Sequence, residues 1–314
     1  MTQQTMYETP IPPDCTVSVI IPTYNSSTVL ADAIQSVLNQ THAPAEVIVV
    51  DDASSDATAA ICGTLRNRIR YLRHDRNRKA SAARNTGIAA STGMWVAFLD
   101  ADDTWLPTKL QRQLKSLSAN PNADFCITGA DVWSESKRDY LPHSYDGCLD
   151  RDTLRADLLI RNIFTGLCSS LIVRRDALNS VGGFANGRGC EDRRIALELL
   201  RQFHPIILPD CLIQQRPGPA HWHDPTKHRR AMLRLLVDYD RLYHDLDPTG
   251  RLKRRAIARI HERTGMHHLE NGDFPAAARN LARAAATWPF TANPWRVLVN
   301  ACLGRIKVPA ELRD

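Results

Sequence analysis

Val47-Ile48-Val49-Val50 is apolar at every position, and Val17-Ser18-Val19-Ile20-Ile21 and Met94-Trp95-Val96-Ala97-Phe98-Leu99 are nearly so. A strand with one wet face alternates apolar and polar residues, whereas a strand covered on both faces need not. These runs therefore read as buried strands of a largely parallel sheet, which needs helices on both sides. The segments between them supply those helices. Thr28 to Gln40 has an amphipathic pattern, a helix capped by Ser54 or Ser55 runs to about Arg66, and Ala80 to Ala90 is helical. Ile69 to Leu72 reads as one more short strand. The alternation predicts βαβ units and a doubly wound α/β sheet. Ligands of such sheets bind beyond the carboxyl ends of the strands, near the switch point of the topology.

Two of the strands stop in carboxylates at that end. One runs into Asp51-Asp52 and another into Asp100-Ala101-Asp102-Asp103. Side chains alternate along a strand, so Asp100 and Asp102 share a face if the extended geometry persists. Crowded carboxylates need water or a cation to relieve their repulsion. Hard oxygen ligands suit Mg²⁺ or Mn²⁺, which commonly carry phosphate-bearing substrates. A solvated acidic turn would show the same residues.

Further along, Leu106 to Ser118 reads as a helix, Asp124 to Thr128 and Leu171 to Val173 as strands, and Cys190 to Phe203 as a helix. Pro205 to Gln214 holds a last strand. Trp133 to Arg151 is polar and irregular, a candidate acceptor-side loop. Pro217-Gly218-Pro219 breaks the pattern, and the chain then turns helical and basic. The reading divides the 314 residues into a flexible arm (1–15), a catalytic domain (16–225) and a helical region (226–314) containing a TPR-like hairpin from Ala276 to Ala286 and Asn293 to Leu303. One such pair is too few for a solenoid.

Composition narrows the function classes. No run of about 18 apolar residues occurs, so no transmembrane helix is expected. Residues 1–8 lack the basic and apolar segments of a secretory signal. Eight cysteines are scattered without a C-x-x-C pair, which argues against a structural zinc site and fits a reducing cytoplasm. The net charge is +6, with much of the surplus between Lys227 and Arg263. That surplus suits an anionic partner or a merely solvated helix face. Aromatic residues are 6% and no nucleic-acid-binding signature is visible, so nucleic acid is not the expected partner.

Five segments in this order resemble family 2 glycosyltransferases, which have the GT-A fold. They are Val17 to Asn25, Val49-Val50-Asp51-Asp52-Ala53-Ser54-Ser55-Asp56, Ala83-Arg84-Asn85-Thr86-Gly87-Ile88, Phe98 to Asp103, and Gly182-Gly183-Phe184 followed by Glu191-Asp192. The resemblance covers about residues 16 to 215. It implies a GT-A-like doubly wound mixed sheet flanked by helices, with the all-helical extension outside it. It also implies an inverting hexosyl transfer from a nucleoside-diphosphate sugar, foremost a UDP-sugar, to a glycan or lipid-linked glycan acceptor in cell-surface polysaccharide or lipopolysaccharide synthesis. The basic tail would then suit peripheral contact with the anionic inner face of the membrane.

Site roles follow from that resemblance and from side-chain chemistry. The loop Pro22, Thr23, Tyr24 and Asn25 would hold base and ribose. Asp52, with Asp51 nearby, would accept hydrogen bonds from the base imide or ribose, although helix capping would use the same residues. Arg84 would fork onto the diphosphate or pair with an acidic neighbour. Asp102 is the first choice of metal ligand, with Asp100 near the ribose or the metal, and His221 or His223 as weaker additions. Asp192 is the general base that removes the acceptor proton, and Glu191 is its neighbour on the acceptor side. Trp105 would face a sugar ring or sit in the core. Lys79 stands where the family usually has a glycine, a residue that tolerates positive φ. A sugar-phosphate nucleotidyltransferase and a non-catalytic scaffold acting through its helical tail are the competing readings.

Overall fold

The computed structural model describes residues 10–134, 139–145, 147, 149–216 and 225–290. Its first part is the alternation the sequence predicts. The elements are β1 (Val17–Thr23), α1 (Leu30–Leu38), β2 (Glu46–Asp51), α2 (Thr58–Thr64), β3 (Arg70–Arg73), α3 (Ala80–Ala90) and β4 (Trp95–Phe98). These four strands lie parallel in the order β3-β2-β1-β4. The order reverses at β1, so the carboxyl ends of β1, β2 and β4 meet at the switch point.

Alternate residues of the same strand serve opposite layers, which explains the unbroken apolar runs. Val17, Val19, Ile21, Val47, Val49, Trp95 and Ala97 cluster with Leu30, Ala33, Ile34 and Val37 of α1. Ile48 and Val50 turn to Ala83 of α3 instead. Each fully buried Leu, Ile or Val contributes about 1.5–3 kcal/mol relative to exposure. The approach of α3 to the sheet is close. A Cβ at Gly87 would lie 2.4 Å from Ile20 Cγ2, so only glycine lets this helix seat on β1.

The sheet continues through β5 (Asp103–Trp105), α4 (Lys109–Ala119), β6 (Phe125–Ser134) and β7 (Asp139–His143), then α5 (Arg151–Ile160), α6 (Leu167–Ser170), β8 (Ile172–Arg174), α7 (Arg175–Ser180), α8 (Glu191–Gln202) and β9 (Pro205–Gln215). β8 is antiparallel to both β4 and β6, making the sheet mixed. The full order is β3-β2-β1-β4-β8-β6-β9-β5, with β7 paired to β6. Part of the stretch expected to be irregular is therefore ordered: β6 extends to Ser134 and pairs with β7. β5 was also unforeseen, and pairs antiparallel with β9 at Asp103 and Gln215.

Contact clustering separates two compact units. One holds 1–151, 163–187 and 191–219, and the other 152–162, 188–190 and 220–314. The second is helical, with α9 (Pro225–Asp238), α10 (Asp240–Leu246), α11 (Arg251–Glu270) and α12 (Phe274–Thr287). Within it, the buried Tyr243 donates to Leu159 O at 2.7 Å, and Arg188 pairs with Asp238 at 3.1 Å. Asp273 caps α12 by accepting from the Ala276 N–H at 3.1 Å. The expected helix from Asn293 to Leu303 lies outside the described residues, as do residues 1–9 of the expected arm. Ile11 and Cys15, also assigned to that arm, pack against the core. No helix among the described residues is long and apolar enough to cross a membrane.

Candidate active site

The carboxyl end of β2 is a closed hydrogen-bond network. Asp51 is fully buried. Its Oδ1 accepts from the Ser54 N–H at 2.8 Å, its Oδ2 accepts from the Tyr71 hydroxyl at 2.5 Å, and Arg73 stands 3.8 Å away. Asp51 was expected beside the substrate and is instead part of the scaffold, because its side chain ends the strand inside the core. Asp52 follows on the other side of the backbone. Its Oδ1 accepts from the Arg78 N–H at 2.8 Å and meets His74 Nδ1 at 2.7 Å. Its Oδ2 accepts from the Lys79 N–H at 2.7 Å and retains a lone pair. Lys79 adopts φ 74° and ψ 163°, a region that glycine occupies without strain and lysine does not. The loop thus keeps a glycine-like backbone with a lysine in it.

The loop after β1 is laced to the loop after β2. Asn25 sits at φ 51°, and its N–H donates to Ser54 Oγ at 2.9 Å while its Oδ1 accepts from the Ser55 N–H at 2.8 Å. Asp56 accepts from the N–H groups of Ser27 at 2.9 Å and Thr58 at 3.0 Å. Slight burial opposes its charge, but these hydrogen bonds hold its carboxyl well below the usual range. Tyr24 is half exposed, whereas Pro22 and Thr23 are buried. Of the four loop residues expected to meet base and ribose, Tyr24 and Asn25 are therefore the accessible pair.

The carboxyl end of β4 is different. Asp100 Oδ1 accepts from Arg84 Nη2 at 2.5 Å. Arg84 projects from α3, is nearly buried, and its guanidinium lies 5.2 Å from the centroid of the Phe184 ring. Burial disfavours the guanidinium charge, yet Asp100, Cys168 and Asp192 around it more than offset that and raise its pKa. Asp102 has the opposite balance: burial and the charge of Asp100 hold its carboxyl above the usual range. Asp103 is pushed up further by burial and by Asp100, and the Ser169 hydroxyl donates to its Oδ2 at 2.5 Å. Ser169 Oγ also accepts from the Asp100 N–H at 3.0 Å.

Trp105 does not face a sugar. It is buried in the core, its Nε1 donates to Ser169 O at 2.8 Å, and Lys109 Nζ stands 3.9 Å from the ring centroid. Pairing of β5 with β9 draws the indole inward. Lys109 is fully buried, donates to Gln113 Oε1 at 2.8 Å, and is pulled down by burial to about 7. Gln113 in turn donates to Ser170 O at 2.7 Å. Trp105 and Gln113 together hold the Ser169-Ser170 segment on which the Asp100–Asp103 turn rests.

Glu191 and Asp192 open α8, where acidic residues are favoured by the helix dipole. Asp192 Oδ1 accepts from the Arg193 N–H at 2.8 Å. The charge of Asp192 acts on Arg84, as do those of Asp100 and Asp102. The buried Cys168 thiol feels Arg84, Asp100, Asp192 and Glu191 together, and burial with these acids pushes its pKa up. The acidic motifs therefore converge around one guanidinium. His221 and His223 lie outside the described residues. Sequence reasoning missed His74 and Ser169, which orient Asp52, Asp100 and Asp103 from distant segments.

The donor set at Asp100 and Asp102 is oxygen only. Among the described residues, no three His, Cys, Asp or Glu side chains are grouped to hold an ion. Two carboxylates suffice for Mg²⁺ or Mn²⁺, because those ions take their other oxygens from water and substrate phosphates. Burial, and after it the charge of Asp100, raises the pKa of Asp102, and a divalent cation would favour the charged form of both carboxylates, so the residues present fit one.

Known proteins resemble this chain in sequence and in fold. Residues 18–182 match the family described as Glycosyl transferase family 2. The succinoglycan biosynthesis protein ExoO of Rhizobium meliloti is 40% identical over 119 residues, 38% of this chain and 34% of that protein. The UDP-Glc:alpha-D-GlcNAc-diphosphoundecaprenol beta-1,3-glucosyltransferase WfgD of Escherichia coli is 39% identical over 108 residues, 34% of this chain and 43% of that one. The matched region thus spans less than half the length of either relative. Two solved structures share the GT-A fold. Residues 1–349 of S. aureus TarS, in complex with UDP-GlcNAc, superpose with a TM-score of 0.57 at 18% identity, covering 92% of each chain. The Pyrobaculum calidifontis mannosyltransferase PcManGT, in complex with GDP-Man and Mn²⁺, gives 0.59 at 20% identity, covering 99% of this chain and 87% of that one.

Proposed function

Because the chain belongs to glycosyl transferase family 2, we propose that it is a divalent-metal-dependent, inverting enzyme that moves a sugar from a nucleoside-diphosphate sugar to a hydroxyl of a glycan or lipid-linked glycan. The observation that carries this reading is the position of Arg84, which donates to Asp100 at 2.5 Å and whose guanidinium also interacts electrostatically with Asp102 and Asp192. The names of the relatives and the ligands of the two solved structures support it.

Each residue then has a defined task. Asp52 uses its free lone pair on the base imide or ribose, with its orientation fixed by His74 and the Arg78 and Lys79 amides. Tyr24 and Asn25 flank the base. Arg84, held beside Asp100, presents its remaining N–H groups to the diphosphate. Asp102, with Asp100, would hold Mn²⁺ or Mg²⁺, which as a Lewis acid stabilises the departing nucleoside diphosphate. Asp192 removes the proton from the acceptor hydroxyl as that oxygen attacks the anomeric carbon opposite the leaving group. Attack from that face inverts the configuration. Glu191, adjacent on the helix, points about 100° away and serves the acceptor rather than the proton. The basic helices from Lys227 to Arg263 would hold the enzyme at an anionic cytoplasmic membrane surface, where a lipid-linked acceptor resides.

A screen of UDP- and GDP-sugars for nucleoside-diphosphate release, with Mn²⁺, Mg²⁺ or EDTA, tests the reading. Release is expected with one donor and a divalent ion. It should fall at least about 1,000-fold in Asp102→Ala and in Asp192→Ala, while both variants stay folded. Release of pyrophosphate instead would mark a nucleotidyltransferase. Wild-type turnover by Asp192→Ala would remove the base assignment.

A further inference from the structure

Asn85 commits both ends of its amide to the backbone of a single residue 99 positions away. Its Nδ2 donates to Phe184 O at 2.8 Å, and its Oδ1 accepts from the Phe184 N–H at 2.8 Å. Such a two-point contact fixes orientation as well as distance. There is no slack in it. A Cβ on Gly183 would lie 2.5 Å from Asn85 Oδ1, and Gly183 itself sits at φ +70°.

The contact determines where the Phe184 ring goes. The ring is buried and meets Phe98 edge-on, with centroids 5.1 Å apart and planes at 81°. Its face carries the Arg84 guanidinium at 5.2 Å. Arg84 Nε is buried without a hydrogen-bond partner, so the aim of this side chain rests on Asp100 at one end and the aromatic face at the other. Phe184 also belongs to the turn that leads into α8, which bears Asp192. A single amide therefore ties the residue that orients Arg84 to the segment that delivers Asp192.

We infer that Asn85 is a positioning residue for transfer: through Phe184 it sets Arg84 on the donor side and Asp192 on the acceptor side at one fixed separation. This inference rests on the proposed glycosyl transfer. Asn85 touches neither substrate. Without its clamp the Phe184 turn can shift, and a displacement of about 1 Å at a reacting centre is enough to cost about 100-fold.

The test uses the full chain and the variants Asn85→Ala, Gly183→Ala and the double substitution, assayed well below their melting temperatures. Asn85→Ala is expected to lower kcat about 10–100-fold and weaken Mn²⁺–UDP binding several-fold, with little change in acceptor KM. Gly183→Ala should cost activity in both backgrounds, because φ +70° strains alanine, and less in Asn85→Ala, where the clash with the Asn85 oxygen is gone. A separate readout needs no substrate: the Arg84 side-chain N–H resonance, shifted by the Phe184 ring in the wild type, should move in Asn85→Ala. An Asn85→Ala protein with unchanged kcat and an unmoved Arg84 resonance would overturn the inference, whatever its melting temperature. A wild-type chain that binds no nucleoside diphosphate but loses the Arg84 shift on Asn85→Ala would sink the proposed function and leave the clamp standing.

Discussion

The two acidic ends of the sheet solve the same electrostatic problem in opposite ways. At β2, Asp51 and Asp52 are buried among donors: two backbone amides and His74 for one, an amide and a tyrosine hydroxyl for the other. At β4, Asp100, Asp102 and Asp103 have fewer donors and act on one another, so burial and mutual charge hold Asp102 and Asp103 above the usual carboxylate range. The first set is balanced by its own donors, with one lone pair of Asp52 Oδ2 left over. The second is complete only when a cation or a proton joins it. An acidic doublet at a strand end is thus no guide to its role until its donors have been counted.

The contrast can be broken most directly at Asp51. Replacing it with Ala strands the Ser54 N–H and the Tyr71 hydroxyl in the interior. A loss of about 3 kcal/mol in urea unfolding is expected. A loss no greater than that of Asp102→Ala would erase the distinction between scaffold and site.

The second set sharpens the contrast through pH. The unfolded chain releases the Asp103 proton near the ordinary 3.8, while the folded chain holds it to a higher pH. Between those values the folded state binds more protons, so stability is fully present at low pH and lost as pH rises through the folded value. Asp102 adds a change of the same sign. Asp103→Asn should flatten the fall in melting temperature measured from pH 4 upward without metal. An unchanged slope would show that Asp103 is not the group responsible.

The smallest effect is expected at Lys79, the strained point of the otherwise balanced first set. Its backbone lies where lysine costs about 1–3 kcal/mol, partly offset by the extra entropy a glycine loses on folding. Lys79→Gly should therefore raise stability by about 1 kcal/mol and leave the amide on Asp52 in place. A lower melting temperature would mean that the lysine side chain makes good its backbone cost.

Much of the first half was legible because burial on both faces leaves an unmistakable apolar run. The doubly wound sheet and the strand-end acids could be found in that way, whereas the GT-A type and Arg84 came from the resemblance of the motifs. Asp51 was misjudged because letters do not show which of two adjacent carboxylates turns inward, although the alternation of strand side chains already says that both cannot face one place. The two readings of Trp105 could not be separated because its partner strand β9 arrives more than a hundred residues later. His74 carries no local signal, and Asn85 sits in a recognised segment that does not reveal its role: their meaning comes from Asp52, 22 residues away, and Phe184, 99 away. The hairpin of β6 and β7 was hidden by its polar residues, which suit an edge as well as a loop.

The missing side chain at Gly87 has a wider effect than its own contact with Ile20. It lies three residues from Arg84 and two from Asn85 on the same helix, so any group placed there would lift the helix segment that carries both. The guanidinium and the turn-holding asparagine would be lifted off the sheet together, so the absence of one methyl group keeps two long-range contacts in register.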